Sequence, residues 1–292
     1  MAIPSASDAA ALLSDVEQSD GYPALSEHKL VRLEGGADSR VVPWYRDGEL
    51  VAVLVAARHV HADGTSHWAV EAALSPRHRD PQSERELVAS VGALVPGVAP
   101  HTVWAWRPAQ VWALESLGYD PIRQIVRLER SLPLSQVADA EASVRIERFK
   151  QGRDEPFLIE VNNLAFAGHP EDGNLTSADL AGRMTRSWFD ATGIFVARSG
   201  ARVVGFCWTK LHPERLGEVY VIAVRPTARD RGIGGVLLAA GLDDLHRRRG
   251  ATRAMLWVER TNVSAQRLYA RMGFRPVLVN TEFAMASSQP NR

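Results

Sequence analysis

The run Arg229-Asp230-Arg231-Gly232-Ile233-Gly234-Gly235 stands between an apolar strand-like segment and a helix-like one, and it narrows what this chain can fold into. Glu218 to Val224 is apolar and β-branched, and Pro226 closes it as a strand. Val236 to Leu245 continues as an apolar helix, followed by the basic stretch His246 to Arg249 and by Gly250, which are helix-stop signals. Glycines at a helix start let the backbone approach a ligand closely and leave amide N–H groups pointing outward. With the positive end of the helix dipole, those donors form an anion site suited to a pyrophosphate. A strand, a glycine turn and a helix in this order predict an α/β unit that holds a phosphate-bearing cofactor.

The spacing excludes two common versions of such a loop. No Gly-Lys-Ser/Thr follows the glycines, so it is not a Walker loop. Arg229-x-x-Gly232-x-Gly234 carries its glycines too late for the dinucleotide fingerprint. The pattern instead resembles the acetyl-CoA loop of the GCN5-related N-acetyltransferases (GNAT). A second element agrees with it. The strand Ala254-Met255-Leu256-Trp257-Val258 leads to Glu259-Arg260-Thr261-Asn262, a helix spans Val263 to Met272, and Gly273-Phe274 ends it. The string Asn262-x-x-Ala265-x-x-x-Tyr269-x-x-x-Gly273-Phe274 is similar to the last sequence block of that family.

A chain of 292 residues suggests two domains of about 145 residues each. An offset of about 150 lays Leu74-Ser75-Pro76 on Val224-Arg225-Pro226, and Gly48 to Leu54 near Gly200 to Phe206. Leu117-Gly118-Tyr119 likewise answers Met272-Gly273-Phe274. The expected architecture is α/β: two tandem GNAT-like domains, each a mixed central β-sheet flanked by helices. The first covers 1–131 and the second 144–292. The stretch 132–143, with Pro133 and small polar residues, is the linker. The copies differ chemically. Where the second has Gly232 and Gly234, the first has Gln82 and Glu84, preceded by Pro81, and Leu114 stands where the last helix would carry its tyrosine. Side chains, a missing N–H and a negative charge all oppose a bound pyrophosphate. The first copy is thus either a structural half or a degenerate acyl-CoA pocket lined by Ala72, Ala73 and Leu74.

Composition restricts the setting. Charged residues make up 23% and the formal net charge is zero, so nothing points to nucleic acid or an anionic membrane as partner. The single cysteine, Cys207, excludes an internal disulfide, fits a reducing cytoplasm, and sits in an apolar strand where core packing is expected. No apolar run approaches the ~18 residues of a membrane span, and no signal peptide is expected. The nine histidines form no metal-binding spacing; His59 and His61 are expected on a surface loop, and no metal is implied. A monomer acting on a small-molecule amine is expected.

The second half narrows the family further. Val161 to Glu171, Trp188-Phe189-Asp190, Phe206 to Pro213 and Leu216 to Val221 together closely resemble the mycothiol synthases, tandem members of the GNAT family. Over the first half the resemblance is thinner and rests on length, the tandem plan, Asp20-Gly21 and Ser26-Glu27. That resemblance implies acetyl transfer from acetyl-CoA to the cysteinyl amine of a cysteine–glucosamine–inositol conjugate. It puts the cofactor on Ile222, Ala223 and Val224; on Arg229, Asp230, Arg231, Gly232, Ile233, Gly234 and Gly235; and on Asn262, Val263, Ser264, Ala265, Gln266 and Arg267. It implies Glu27, Glu171, Lys210, Glu218 and Trp257 as substrate residues, with Trp257 replacing an expected tyrosine by a donor-only N–H.

Chemistry supports two roles. An α-amino group has a pKa of roughly 8, so about a tenth is neutral at pH 7 and a carboxylate base is sufficient. Glu218, at the head of the cofactor strand, is that candidate. Tyr269 is the candidate acid for the departing thiolate, since helical spacing from Ala265 turns it toward the same face. Two alternatives stay open: a tandem N-acetyltransferase for an antibiotic or protein amine, and a non-catalytic acyl-CoA-binding module.

Overall fold

The computed structural model describes residues 3–30, 32–33, 38–60, 64–95, 100–134, 144–167 and 175–285, the side chains of 27 and 28 excepted. Packing divides the chain into two units, Met1–Gln124 with Val279–Arg292, and Ile125–Leu278. Among the described residues no helix is long and apolar enough to cross a membrane.

The first unit runs through α1 (Ala6–Asp20), α2 (Glu27–Leu30), β1 (Ser39–Arg46), β2 (Glu49–Val60), β3 (Ser66–Leu74), α3 (Pro81–Ala89), α4 (Val91–Leu94), β4 (His101–Ala105), α5 (Pro108–Ser116) and the start of β5 (Tyr119–Ser131). β1, β2 and β3 are antiparallel neighbours, while β3 and β4 are parallel. β2 is buried along Leu50 to Ala57, which is why it reads as an unbroken apolar run rather than an alternating one. Leu54, Val70 and Leu74 pack with Leu87, Leu94 and Leu114 on one face, and Val53, Val55 and Ala73 pack with Leu12 and Val16 of α1 on the other. His59 lies on β2 stacked on His67 at 5.4 Å, in a strand rather than the expected loop, because the β2–β3 ladder runs on to Val60; His61 is outside the described residues.

The second unit adds β6 (Arg145–Arg148), α6 (Glu155–Ala165), α7 (Ser177–Met184), β7 (Ile194–Ser199), β8 (Arg202–His212), β9 (Leu216–Val224), α8 (Ile233–Arg247), β10 (Arg253–Glu259), α9 (Val263–Arg271) and the start of β11 (Arg275–Met285). Its strands are ordered β5-β10-β9-β8-β7-β6, antiparallel except for β10 with β9. A parallel pair needs a crossover, and α8 supplies it. Leu158, Val161 and Leu180 of α6 and α7 cover one face of the sheet over Phe206 and Trp208. α8 covers the other, at very close range. A Cβ on Gly241 would lie 2.9 Å from Cys207 Sγ and 3.0 Å from Thr209 Cγ2. Cys207 is fully buried there, and burial pushes its thiol up to about 12, so it is a packing group rather than a nucleophile.

The division differs from a cut at the linker, most of which (135–143) lies outside the described residues. Register explains the difference. Ile125–Ser131 pair with Glu259–Arg253 and so join the second unit. Thr281–Ala284 pair with Ala105–Thr102 and so join the first. The repeat read from the sequence appears as matching geometry. β3 ends before a 3-10 turn at Pro76 and β9 before one at Pro226. Ser75 N donates to Val51 O at 2.8 Å, and Arg225 N to Val204 O at 2.8 Å.

Candidate active site

β9 is the wall on which the site is built. On one edge it pairs with β8 from Leu216 to Val224. On the other, its parallel ladder with β10 holds only for Leu216, Gly217 and Glu218, opposite Arg253, Ala254 and Met255. Beyond Glu218 the ladder stops, so Val219 to Val224 present an edge to β10 that no described strand pairs. The β8 register shows why the strands part. Thr209 faces Val219 and Trp208 faces Val221, leaving Tyr220 as an extra residue. Such a bulge bends and twists its strand locally. Backbone groups left off a ladder need another partner, and an extended amide-bearing ligand can provide one.

The glycine loop opens at the end of this edge. Asp230 (φ 61°) and Gly232 (φ 73°) are both left-handed, and Gly232 caps α8 without any side-chain hydrogen bond. Within the first turn, Gly235 N and Val236 N donate back to Gly232 O, at 3.0 and 3.2 Å. The N–H groups of Ile233 and Gly234 precede the first intrahelical bond and point out of the helix end, the arrangement that favours an anion. Arg229, Asp230, Arg231 and Gly232 are exposed. The helix of the second motif packs on the first: a Cβ on Gly234 would lie 3.4 Å from Leu268 Cδ2 of α9 and 3.9 Å from Val224 Cγ2. Asn262 accepts from Ala265 N at 3.1 Å as the cap of α9, and Gln266 Nε2 donates to Arg260 O at 2.6 Å. Val263, Ser264 and Arg267 are exposed and Ala265 half-buried. The end of β9 at Val224, the loop and α9 at Leu268 are therefore neighbours, and an open strand edge leading to a helix end without a side-chain cap fits an extended chain that terminates in phosphates.

Glu218, Lys210 and Trp257 stand where the ladder ends. Glu218, its last residue on β9, is 9% exposed, and its Oε2 lies 2.6 Å from His212 Nε2. Lys210 is directly opposite Glu218 on β8. Its Nζ lies 4.5 Å from the ring centre of Trp188 and 5.8 Å from that of Tyr220. Trp208 adds a third ring, 5.3 Å from Tyr220. Trp257 is half-buried on β10, past the last laddered residue Met255 and opposite Arg127. Tyr269 is 5% exposed, edge-on to Phe274 at 6.0 Å. Burial, and then the neighbouring Cys207, hold its hydroxyl above the usual tyrosine value, so it stays protonated.

The other expected residues belong to the first unit or lie outside the described residues. Glu27 lies in α2 of the first unit, with its side chain outside the description, and Glu171 is outside the described residues. Ala72, Ala73 and Leu74 form the end of β3, past the parallel β3–β4 ladder that stops at Val70. They repeat the position of Ile222 to Val224 within the first unit, where Glu84 is fully buried and takes Arg107 Nε at 2.9 Å. Sequence reasoning gave no role to His212, Trp188 or Tyr220. The spacing Lys210-x-His212 was the available signal, since alternate residues of a strand share a face. Among the described residues, no cluster of His, Cys, Asp and Glu is arranged to hold a metal ion.

Comparison with known proteins supplies a family. A model of the acetyltransferase (GNAT) family matches residues 158–274. Over 284 residues the chain is 39% identical to the mycothiol acetyltransferase of Acidimicrobium ferrooxidans, covering 90% of this chain and 88% of that one. It is 36% identical over 289 residues to that of Kocuria rhizophila, covering 93% of each. Among solved structures, a tandem GNAT protein from the clavulanic acid biosynthesis pathway superposes with a TM-score of 0.67 at 14% identity, covering 100% of this chain and 98% of that one. A GCN5-related N-acetyltransferase from Sphaerobacter thermophilus gives 0.62 at 22% identity, covering 95% and 91%. At such identities these two likenesses speak for the fold.

Proposed function

The chain belongs to the mycothiol acetyltransferase family, and we propose that its second unit moves an acetyl group from acetyl-CoA to the cysteinyl amine of a cysteine–glucosamine–inositol conjugate, giving mycothiol and CoA. It is an acetyl-CoA-dependent N-acetyltransferase of the GNAT fold. One observation carries the assignment of the site: the β9–β10 ladder ends at Glu218, so a carboxylate stands where the unpaired edge of β9 begins.

The co-substrate brings an activated acyl group, a thioester. The chain's own residues do the rest. N–H groups of Ile222 to Val224 orient the acyl carbonyl, and one such donor is worth ~3 kcal/mol of barrier. Main-chain donors of Gly232 to Gly235, with the start of α9, take the phosphate end. Glu218 accepts the proton of the substrate ammonium, leaving the nitrogen lone pair for attack. Tyr269, protonated by virtue of its burial, returns a proton to the departing sulfur. Lys210, Trp257, Glu171 and Glu27 are assigned to the polyol substrate, Trp257 by stacking on a sugar face. The first unit, with Ala72 to Leu74, is the non-catalytic copy. Reaction in the cytoplasm fits a lone cysteine buried as a thiol.

The test is a panel of amines with a free-thiol readout of released CoA. The cysteinyl pseudo-disaccharide is expected to exceed free cysteine amide by orders of magnitude in kcat/KM; parity between the two excludes the assigned substrate. Glu218→Gln is expected to lower turnover and leave acetyl-CoA affinity nearly intact.

A further inference from the structure

His212 ends β8 at the mouth of the site. In the β8–β9 register Lys210 is directly opposite Glu218, and His212 is opposite Leu216. His212 is thus the diagonal neighbour of Glu218 on the same face, within reach of a long side chain. The carboxylate has two basic side chains beside it and bonds one of them. Lys210 is drawn over Trp188 and Tyr220, and the imidazole takes Oε2 at 2.6 Å. An ionised carboxylate can only accept, so Nε2 carries the hydrogen. Oε1 makes no hydrogen bond to any described residue.

The mount of this imidazole is stiff. The two side chains are 18% and 11% exposed, so water competes little for the bond. The turn that follows bends through Glu214 and Arg215, both at φ 58°. It is tied to the end of the helix crossover: Arg215 Nε donates to Gly250 O at 2.6 Å, and Thr252 N donates to Arg215 O at 2.9 Å.

We propose that His212 is a positioning residue for acetyl transfer: it holds Oε2 of Glu218 so that Oε1 meets the substrate ammonium. This rests on Glu218 being the base. In the step, an N–H bond of the ammonium breaks, its electron pair stays on nitrogen, and an O–H bond forms at Oε1, while the Nε2–H bond to Oε2 is kept. Without the imidazole the carboxylate is free to turn about its last torsion.

The experiment compares His212→Leu, His212→Gln, Glu218→Gln and the double variant His212→Leu/Glu218→Gln in the full chain. It measures kcat and KM for the amine, and acetyl-CoA affinity by calorimetry. Glutamine sets an amide N–H where Nε2–H stood. His212→Leu is expected to lower kcat about 10- to 100-fold, as loss of an orienting partner does elsewhere, with acetyl-CoA affinity unchanged. His212→Gln should stay within about threefold of wild type, the modest cost of re-making a neutral hydrogen bond. In the Glu218→Gln background, His212→Leu should remove little more. Equal losses in the Leu and Gln variants overturn the proposal. So does an undiminished kcat in His212→Leu, or a further tenfold loss in the double variant. Failure of the base assignment has a different signature, a wild-type kcat in Glu218→Gln alone. Ring nitrogen NMR of His212 gives a readout independent of turnover: the Nε2–H signal must shift on Glu218→Gln, and an unmoved signal overturns the contact itself. If His212→Leu does not fold, His212→Gln and the NMR pair decide.

Discussion

Gly241→Ala sets two effects of opposite sign against each other. Glycine inside a helix costs roughly 1 kcal/mol relative to alanine, so an open site would gain that much on substitution. At position 241 the new Cβ would lie 2.9 Å from Cys207 Sγ and 3.0 Å from Thr209 Cγ2. Comfortable contact is about 3.5–4.0 Å, so the shortfall is on the order of 0.8 Å. Neither neighbour can retreat. Cys207 and Thr209 are 0% and 1% exposed, and Thr209 Oγ1 donates to Gly193 O at 2.8 Å. Overpacking of this kind costs about 1–3 kcal/mol, so it matches or exceeds the propensity gain and leaves a net loss of up to about 2 kcal/mol. For a unit of this size that lowers Tm by up to about 8 °C. The decisive assay repeats thermal unfolding in a Cys207→Ala/Thr209→Ser background, where both offending atoms are gone and the serine keeps the bond to Gly193. There Gly241→Ala should become neutral or stabilising. Because α8 also carries the glycine loop, the single variant should weaken acetyl-CoA binding, measured by calorimetry, and the combined variant should restore it. A raised Tm for Gly241→Ala in the wild-type background, or the same change in both backgrounds, refutes the reasoning.

Gly232→Val forces a branched side chain into φ 73° at the cap of α8; acetyl-CoA affinity should fall at least about tenfold, read by calorimetry, while turnover at saturation is largely kept. Tyr269→Phe keeps the ring contact with Phe274 and removes the donor, so kcat should drop about 10²-fold with little change in Tm. Since burial raises the Tyr269 hydroxyl above its ordinary value, alkaline pH–rate profiles should show no loss from its ionisation near pH 10, where an exposed tyrosine would titrate. Burial pushes the Asp244 carboxyl up, but hydrogen bonds from Arg248 and Arg148, at 2.8 and 2.7 Å, outweigh it and hold the group below the usual carboxylate range. Its stabilising effect is therefore present above the unfolded value near 4 and lost as pH falls through the lower folded value. Asp244→Asn should lower Tm at pH 7, with the gap to wild type closing as pH falls below about 4; a gap constant with pH would contradict this.

Features written in local chemistry were legible in the sequence. The glycine loop could be read because left-handed Gly232 and an uncapped helix end are properties of a few adjacent residues. The tandem plan could be read because Leu74-Ser75-Pro76 and Val224-Arg225-Pro226 mark the same strand end twice. What depended on pairing was hidden. His212 meets Glu218 only through the β8–β9 register, which sets Lys210 on Glu218 and His212 on Leu216, and no periodicity announces that register. Gly241 reads as a weak helix position until Cys207 and Thr209 are known to lie beneath it. The unit boundary was hidden for the same reason: Thr102 donates to Glu282 at 2.7 Å across 180 residues of sequence. Glu27 and Glu171 stay with the resemblance that suggested them.

The assignment of β5 and β11 to units bears on how this gene can be divided. Cleavage within 135–143 would not release two self-sufficient proteins. The amino-terminal product would keep Ile125–Ser131, whose hydrogen-bonding partners are Glu259–Arg253 in the other product. It would also lack Thr281–Ala284, the neighbour that Ala105–Thr102 require. Each fragment would carry a strand the other needs and expose the bare edge it leaves behind, a pattern that favours co-expression and reassembly over independent folding, and that ties the first copy to the second through every later change of the gene.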